Sequence, residues 1–458
     1  MIGVYRRGIN IIENEYSMEN KVSEYNIEVD YCNGVLLYNT LTNKLLPVSF
    51  EDYTVIETLM EHLPEFEVKF PSLYQAFLKS GFIVPFNFDE LAYIKLQNKR
   101  CVFMNRDYHL TVNPTLDCNL KCWYCSVSYA GTKHNKERMS DDMVESLKKH
   151  IEFLGTRQKA NGILLDWFGG EPLMYFDEII RKISDTALRL SEQNKFVFRQ
   201  QMTTNATLLD EEKIRYMKDA HFRFLQISID GNEYRQNLIK HYANKRGSYR
   251  DVISNINLLT EIIPDISICL RINYDRQTLK HVTDVINDFT EQSKKCITVD
   301  FQRVWQVPCT DEMRRQLANV KATFESEGFV SHFWAYRPLT FKCCYADNIN
   351  HYVVNYNGKI FKCTARDYGD ELMIGNLSSS GQILWNDSLL SKMFEKSGFE
   401  NDMCEKCKML PICMGPCIQK NYERRINNQP VVCMYDNVEY SLSSYITDQA
   451  KQRQLIPQ

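Results

Sequence analysis

Three cysteines on one short stretch, Cys118, Cys122 and Cys125, carry the clearest chemistry in the sequence. They are spaced CxxxCxxC and follow directly after a predicted strand. Three thiolates on one loop can each bind one iron of a four-iron cluster and leave the fourth iron without a protein ligand. A substrate amine and carboxylate could chelate that open iron. A zinc site is the alternative, but zinc normally takes four protein ligands in two CxxC-type pairs.

Most of the other cysteines gather in the C-terminal part of the chain. Eleven of the 16 cysteines fall into three tight groups. Without an export signal, such clusters are more often metal ligands than disulfides. Beyond the first group, the members are Cys343, Cys344, Cys363, Cys404, Cys407, Cys413, Cys417 and Cys433. A treble-clef-like zinc domain is the alternative, although it would leave cysteines over.

The elements that must position the first group alternate between strand and helix patterns. From Tyr108 onward, apolar strand segments are followed by amphipathic stretches with apolar positions at helical spacing. The six strand segments are YHLTVNP, GILLDWF, FVFRQQMTT, FRFLQISI, ISICLRINY and ITVDFQRVW. This pattern predicts an α/β fold with a partial (β/α)6 barrel, whose reactive groups lie on loops after the strand carboxyl ends.

A separate module is predicted before the barrel. Three short strands over residues 25–48 precede two helical segments, and a last strand, FIVPF, closes the unit near residue 86. Strands followed by a helix pair are typical of a winged-helix-like module. We therefore predict three domains: a winged-helix-like module at 1–96, the barrel at 97–310 and a cysteine-rich iron–sulfur domain at 311–458.

Composition limits the classes of protein to consider. The chain has 458 residues, a net charge of −3 and 44% hydrophobic residues, so it can bury real cores and shows no general attraction to polyanions. No apolar run is long enough for a signal peptide or a membrane span. We expect a soluble, cytoplasmic protein without a membrane or nucleic-acid partner.

The first cysteine group resembles the motif of the radical S-adenosylmethionine (radical SAM) superfamily, and further residues match that family in order. Gly169-Gly170-Glu171-Pro172 ends the second strand, Thr204-Asn205 the third, and Ser228-Ile-Asp-Gly follows the fourth. Relatives often have an arginine about ten residues later, where this chain has lysine. The resemblance implies that S-adenosylmethionine contacts Tyr124, Gly169, Gly170, Glu171, Thr204, Asn205, Ser228 and Lys240.

The C-terminal cysteines are similar to the SPASM domain of peptide-modifying radical enzymes, which binds two auxiliary [4Fe–4S] clusters. Carried over by position, one cluster would be ligated by Cys404, Cys407, Cys413 and Cys433. The other would take Cys344, Cys363 and Cys417, with Cys343 as a possible fourth ligand. Because neighbouring residues of an extended segment point to opposite faces, we favour Cys344 over Cys343. The resemblance thus implies three [4Fe–4S] clusters, one of them catalytic.

The N-terminal module resembles the RiPP recognition element, which binds the leader of a ribosomally made precursor peptide by strand addition. A DNA-binding winged helix is the alternative. Residues 25–95 hold ten acidic residues against four lysines, which disfavours contact with phosphates. A purely structural cap is the remaining alternative.

Together, the resemblances imply a radical SAM peptide maturase. It would abstract a hydrogen from a precursor peptide through a 5′-deoxyadenosyl radical and install an oxidative change, such as a thioether, ether or carbon–carbon cross-link. A flavodoxin- or ferredoxin-type protein would donate the electron. One alternative is a sulfatase-type maturase that forms formylglycine; such relatives typically have an aspartate where this chain has Thr364. A non-catalytic electron-relay or peptide-binding scaffold is the other.

Overall fold

The structure is a computed structural model that describes residues 19–125, 127, 137–332, 336–436 and 440–457. Contacts divide the chain into two compact units. One unit comprises Met1–Met104, Trp334–Asn348 and Glu395–Gln458, and the other comprises Asn105–Phe333 and Ile349–Phe394. We call them the module unit and the barrel unit.

The module unit begins with short antiparallel sheets. A two-stranded sheet joins β1 to β5, and a three-stranded sheet has the order β2-β3-β4. The strands are β1 (Asn20–Val22), β2 (Asn26–Tyr31), β3 (Gly34–Asn39), β4 (Lys44–Val48) and β5 (Ile83–Pro85). The helices are Phe50–Glu61, Leu63–Lys69, Pro71–Ser80, Glu90–Phe103, Asp402–Glu405, Leu410–Cys413, Ile418–Ile426 and Leu442–Gln452. The predicted strands and helices of the N-terminal module are therefore present.

Strand β3 is buried along its whole length because both faces of its sheet are covered. On one face, Leu37 packs with Phe66 and Phe77 of the following helices. On the other face, Leu36 and Tyr38 pack against residues of the C-terminal segments. That second core also contains Val29, Tyr336, Ile412, Tyr445, Ile446 and Ala450. The N-terminal strands thus share their core with residues more than 290 positions later in the sequence.

A third core extends this sharing to the predicted ligands of the module unit. We call these ligands the cysteine array; they are Cys343, Cys344, Cys404, Cys407, Cys413, Cys417 and Cys433. Tyr25 and Ile94 are buried together with Phe399, Cys404 and Met414. The predicted domain boundaries at residues 96 and 310 stay a prediction, but the contacts group the module with C-terminal segments and assign 349–394 to the barrel unit.

The barrel unit is built on one large, mainly parallel sheet. Its order is β12-β11-β10-β9-β8-β7-β6-β13-β14-β15-β16. Neighbouring strands from β6 to β12 are parallel, and β13 also pairs parallel to β6. The strands are β6 (Asp107–Val112), β7 (Gly162–Trp167), β8 (Val197–Thr204), β9 (Phe222–Ile229), β10 (Ser267–Tyr274), β11 (Ile297–Arg303), β12 (Val330–His332), β13 (His351–Val354), β14 (Lys359–Phe361), β15 (Gly375–Leu377) and β16 (Ile383–Trp385).

Helices connect these strands, and several of them begin at a capping side chain. Ser140 accepts a hydrogen bond from the backbone of Met143, and Asp210 does the same for Lys213, which satisfies free amides of the first turn. The helices are Asp141–Thr156, Lys182–Asn194, Glu211–Asp219, Glu233–Ile239, Tyr249–Ile262, Arg276–His281, Glu291–Cys296, Asp311–Ser326 and Asp387–Phe394. Short 3-10 turns cover Pro172–Tyr175, Val282–Asp288, Tyr345–Asp347 and Asp370–Leu372, and a π turn covers Phe176–Arg181.

The six predicted strands are β6–β11 and the predicted partial barrel is confirmed. The sequence pattern missed β12 and the four strands β13–β16, which are only three or four residues long. Such short segments carry too little alternation to be recognised. Within the described residues, no helix is both long and apolar enough to cross a membrane.

Candidate active site

The loop with the first three cysteines follows β6 at the carboxyl edge of the parallel sheet. Its position is fixed by the segment after the helix Glu233–Ile239. Leu120 forms an antiparallel bridge with Tyr242, and the Lys121 amide donates to the His241 carbonyl over 3.0 Å. This edge is where loops of parallel sheets bring reactive groups together.

Side chains at the end of β8 also hold the loop. The side-chain nitrogen of Asn205, Nδ2, lies 2.9 Å from Asn119 Oδ1 and 3.6 Å from Cys118 Sγ. Asn119 in turn donates to Thr207 Oγ1 over 2.8 Å. The Leu120 amide is 3.4 Å from Cys118 Sγ. The predicted ligand Cys118 therefore lies among donors that favour its thiolate.

Burial disfavours the thiolate form of two cysteines on this loop. Burial, together with the nearby Glu171 carboxylate, raises the pKa of Cys118 to about 12. Burial raises the pKa of Cys122 as well, and Lys240 opposes that shift. Since metals bind thiolates, loading this loop must release protons.

Gly169 and Gly170 allow the end of β7 to approach the cysteine loop. The Gly170 amide donates to the Thr115 carbonyl over 3.0 Å, and the Glu171 amide donates to the Asp117 carbonyl over 2.8 Å. A Cβ at Gly169 would lie 2.2 Å from the Thr115 oxygen, and one at Gly170 would lie 2.0 Å from the Asp117 oxygen. The two glycines are thus required by the packing of the chain itself.

Glu171 is fully buried and accepts hydrogen bonds from three groups of the chain. Thr204 Oγ1 and the Leu173 amide donate to Oε1 over 2.7 and 3.0 Å, and the Asn205 amide donates to Oε2 over 2.8 Å. Burial raises the pKa of Glu171 to about 7, and these donors limit the shift. Its carboxyl group therefore joins the ends of β7 and β8.

Tyr124, Ser228 and Lys240 meet at the end of β9. Lys240 Nζ lies 2.5 Å from Ser228 Oγ and 3.4 Å from Asp230 Oδ1. The Tyr124 hydroxyl lies 2.7 Å from each oxygen of Asp230, and Asn273 donates to that hydroxyl over 3.1 Å. Burial raises the pKa of Asp230, and Lys240 is the main opposing cause. Asp230 and Asn273 were not predicted as site residues.

A second polar group lies beside Ser228 on the neighbouring strands β10 and β11. Ser228 pairs in register with Arg271, and Arg271 pairs with Asp300. Arg271 Nε donates to Asn273 Oδ1 over 3.1 Å, and Gln302 Nε2 donates to Asp300 Oδ1 over 2.8 Å. Burial raises the pKa of Asp300 to about 6, whereas Gln302 and Arg271 oppose the shift. Every second residue toward the ends of β10 and β11 is polar, and this alternation is the sequence feature that could have predicted the group.

In the module unit, four of the predicted cluster ligands influence one another electrostatically. Burial raises the pKa of Cys413 to about 12, and Cys404, Cys407 and Cys433 add to the shift. The Cys404 amide donates to Asn401 Oδ1 over 3.0 Å, at the start of a short helix. That these four thiols ligate one auxiliary cluster stays a prediction.

Asp347 joins two other predicted ligand segments. Its Oδ2 accepts from the Cys344 amide, and its Oδ1 accepts from the Ile418 amide, both over 2.8 Å. Burial raises the pKa of Cys417 to about 11, and Asp347 and Cys344 add to the shift. Burial also raises the pKa of Cys343, again with Asp347 and Cys417. Asp347 was not predicted from the sequence because an isolated aspartate carries no motif.

The last predicted ligand, Cys363, lies in the barrel unit just after β14. Its sulfur accepts from the Ala365 amide over 3.4 Å. Across the parts of the chain that the structure describes, no three His, Cys, Asp or Glu side chains surround a common point suitable for one metal ion.

Residues 112–289 match the family model of the radical SAM superfamily. The chain contains a radical SAM domain. The matched segment begins at the end of β6 and includes the cysteine loop and the site residues at the ends of β7, β8 and β9.

The chain with this radical SAM domain is similar to curated enzymes over most of their length. The cysteine-type anaerobic sulfatase-maturating enzyme of Clostridium novyi is 22% identical over 342 residues, covering 68% of this chain and 87% of the relative. The PqqA peptide cyclase of Bradyrhizobium diazoefficiens is 23% identical over 321 residues, covering 66% and 78%. A solved structure, anSMEcpe with bound AdoMet and the Cp18Cys peptide, superposes with a TM-score of 0.53 at 18% identity and covers 76% of this chain and 98% of that one.

The residues at the strand ends of the radical SAM domain fit the groups that this family uses. Three thiols on one loop suit a four-iron cluster with one open iron, and the domain implies one [4Fe–4S] cluster and S-adenosylmethionine. The buried ammonium of Lys240 beside Ser228 offers donors for a carboxylate. Which of the predicted residues contact the cofactor stays a prediction.

Proposed function

We propose that the chain is a radical SAM maturase of a ribosomally made precursor peptide, and that it installs an oxidative cross-link between side chains. The observation that carries this proposal is the hydrogen-bonded connection between the cysteine loop and the ends of β8 and β9. Bound there, the cluster and S-adenosylmethionine supply the one-electron chemistry that removes a hydrogen atom from the peptide. A flavodoxin- or ferredoxin-type protein is the proposed electron donor.

The residues of the radical SAM domain would bind and orient the reactants. Cys118, Cys122 and Cys125 would hold the cluster, and Ser228 and Lys240 would bind the cofactor carboxylate. We place the peptide beside the cofactor, where Arg271 and Asp300 offer a donor and an acceptor to a main-chain amide.

The C-terminal cysteines support two auxiliary [4Fe–4S] clusters in this proposal. The mutual electrostatic influence of Cys404, Cys407, Cys413 and Cys433 supports the first. The Asp347 contacts that draw the Cys344 and Cys417 segments together support the second. Such clusters could accept the electron left on an oxidised peptide.

A triple substitution tests the catalytic assignment. Replacing Cys118, Cys122 and Cys125 together by Ala should remove about four irons of roughly twelve per chain and abolish 5′-deoxyadenosine formation under dithionite. Iron analysis and chromatography of the reaction measure both effects. A triple variant that still forms 5′-deoxyadenosine would refute the assignment, and a wild-type protein that holds iron without cleaving the cofactor would be a scaffold.

The leader of the precursor would bind the N-terminal module, at a sheet edge other than β3. Strand β3, with the sequence GVLLYN, is the central strand and pairs with both β2 and β4. Its hydrogen-bonding groups are therefore used within the sheet. Among the described residues of this three-stranded sheet, the outer edges of β2 and β4 remain for strand addition by a peptide.

The β2 edge suits a leader better than the β4 edge. Pro47 of β4 has no N–H and, as usual for proline in sheets, faces the free edge. Pro47 lies opposite Leu36 of β3, which in turn lies opposite Val29 of β2. Since the N–H and C=O groups of a residue in an antiparallel sheet point to one neighbouring strand only, those of Leu36 point to Val29 and away from Pro47. The backbone groups of Glu28 and Asp30 consequently point outward. Both side chains are exposed and acidic, which favours a basic leader.

Two substitutions at one position test this edge. Glu28→Pro should weaken the binding of a fluorescently labelled candidate leader about tenfold or more, because it removes one outward donor. Glu28→Gln keeps the donor and should weaken binding only slightly and in a salt-dependent manner. Equal affinity of the Pro variant and the wild type in anisotropy titrations would contradict the proposed edge.

A sulfatase-type maturase is the second candidate, favoured by the similarity to the Clostridium novyi enzyme over 87% of its length. This chain has Thr364 directly after Cys363. Incubating the reconstituted enzyme with a cysteine-containing sulfatase peptide, and measuring the peptide mass, tests formylglycine formation directly.

A further inference from the structure

Asp230 lies at the centre of a buried hydrogen-bond network at the end of β9, and its side chain is completely buried. The Tyr124 hydroxyl is 2.7 Å from both of its carboxylate oxygens, and the Lys240 ammonium is 3.4 Å from Oδ1. Its backbone is also fixed, because its amide donates to Gln236 Oε1 over 2.8 Å and its carbonyl accepts from Thr278 Oγ1 over 3.2 Å. Asp230 therefore has a single, well-defined position.

The two side chains that Asp230 joins come from different parts of the site. Tyr124 lies on the cysteine loop, whereas Lys240 follows the helix Glu233–Ile239 and contacts Ser228 on β9. A lysine ammonium is a compact charge on a flexible stem, so its direction depends on the groups around it. Here Ser228 and Asp230 contact the ammonium, and Asp230 also contacts Tyr124 of the cysteine loop.

The charge of Asp230 also makes the buried position of Lys240 tenable. Lys240 is only 3% exposed, and a buried ammonium without a counter-ion is strongly unfavourable. Removing the carboxylate charge would leave Lys240 with the neutral Ser228 hydroxyl as a hydrogen-bond partner. The cation would then turn toward water, and the Tyr124 hydroxyl would keep only a neutral amide oxygen in place of the carboxylate as its acceptor.

We propose that Asp230 is a positioning residue that holds the cysteine loop and the Lys240 cation in the arrangement needed to bind S-adenosylmethionine. The inference rests on the proposed function, in which Lys240 meets the cofactor carboxylate. Asp230 itself acts through Tyr124 and Lys240 and need not touch the cofactor.

The test measures cofactor binding by the anaerobically reconstituted holoenzyme. Asp230→Asn should raise the dissociation constant of S-adenosylmethionine about ten- to a hundredfold, as expected for losing hydrogen bonds to a buried charge. It should also reduce the change that S-adenosylmethionine causes in the electron paramagnetic resonance spectrum of the dithionite-reduced cluster. Neither readout depends on turnover or on a peptide substrate.

Asp288→Asn is the matched control. Asp288 accepts from the Tyr249 hydroxyl and faces the Arg250 guanidinium at 3.7 Å, so it repeats the tyrosine–aspartate–cation arrangement away from the predicted cofactor residues. This variant should lose folding stability, but its cofactor affinity and spectrum should match those of the wild type. A purely structural role of Asp230 would give Asp230→Asn the same result as this control and would overturn the inference.

Tyr124→Phe keeps the inference testable if Asp230→Asn does not fold. Loss of the hydroxyl should raise the dissociation constant about three- to tenfold, and the double variant should bind no more weakly than Asp230→Asn, because both changes break one network. Wild-type affinity of Tyr124→Phe would contradict the inference. A wild-type protein that itself binds no S-adenosylmethionine would instead refute the proposed function.

Discussion

The cysteine loop of the barrel unit and the cysteine array of the module unit are held in different ways. Backbone contacts at Gly169 and Gly170, together with hydrogen bonds from neighbouring strand ends, fix the loop. Apolar packing between the N-terminal strands and the C-terminal segments surrounds the array. Substitutions that add atoms or remove charges near the loop should therefore disturb its structure. The array should instead be disturbed by the loss of apolar contacts with residues far away in the sequence.

The largest effect is expected from deleting residues 1–96. Tyr25, Leu41 and Ile94 are buried in the same core as Cys404 and Met414. Their removal exposes that core, so the truncated protein should lose most of the array iron while the radical SAM domain keeps its own. Iron analysis and the spectrum of the catalytic cluster measure the two outcomes separately. Full iron content and an unchanged unfolding temperature would show that the shared core does not support the array.

Tyr336→Ala is the next strongest test of the array. The Tyr336 ring stacks on Tyr435 at 4.8 Å and on Tyr445 at 4.5 Å, next to the β3 side chain of Tyr38 in one core. Losing this buried ring should lower the free energy of unfolding by about 3–5 kcal/mol. Urea unfolding monitored by the iron–sulfur absorbance provides the measurement.

Tyr336→Phe is the matched control for that substitution. It keeps both stacked contacts and loses only the hydrogen bond to the Tyr440 carbonyl, which is 3.0 Å long. The expected cost is about 1 kcal/mol. Similar losses from Ala and Phe would mean that the hydroxyl, and not the ring packing, stabilises this region.

The sequence predicted what is local in the chain. The six barrel strands have clear apolar patterns, and the spacing of the first three cysteines is contained within eight residues. The pairing of β13 with β6 joins residues about 240 positions apart and has no local pattern. The burial of the second face of β3 likewise depends on segments from residue 336 onward. Tertiary contacts of this kind leave no periodicity in a single sequence.

The same limit explains which site residues were missed. Ser228 and Lys240 stand in a motif-like segment, whereas Asn273 and Asp300 lie on strands β10 and β11 without a motif. Only the register of the parallel strands brings Arg271 level with Ser228 and Asp300. Alternating polar residues within otherwise apolar strands were the available sign of a polar barrel interior.

The buried charge of Asp300 predicts a pH effect in the barrel unit. Because burial raises the pKa of Asp300 to about 6, the native state keeps this proton between about pH 4 and pH 6, whereas the unfolded state has lost it. The native state then binds more protons, so the free energy of unfolding falls as the pH rises through this range, by about 3 kcal/mol. Asp300→Asn should remove this decline in urea unfolding at pH 4–7. An unchanged pH dependence in the variant would show that Asp300 does not cause it.

Adding a methyl group at a glycine beside the cysteine loop should have the smallest effect of these substitutions. Two such glycine variants distinguish the cost of a steric clash from the cost of a strained backbone. An added Cβ at Gly170 would lie 2.0 Å from the Asp117 oxygen and 2.5 Å from the Leu116 oxygen, both backbone atoms that cannot rotate away. We expect Gly170→Ala to cost about 1–3 kcal/mol of folding free energy and to weaken S-adenosylmethionine binding, because the displaced backbone leads directly into Cys118.

Gly328→Ala is the control, since Gly328 has a φ of +87° and no atom within 4 Å of the added Cβ. That variant should show only the cost of a left-handed backbone, about 1 kcal/mol, with unchanged cofactor affinity. Equal cofactor affinity in both variants would mean that the close approach of β7 stabilises the barrel unit without positioning the cysteine loop.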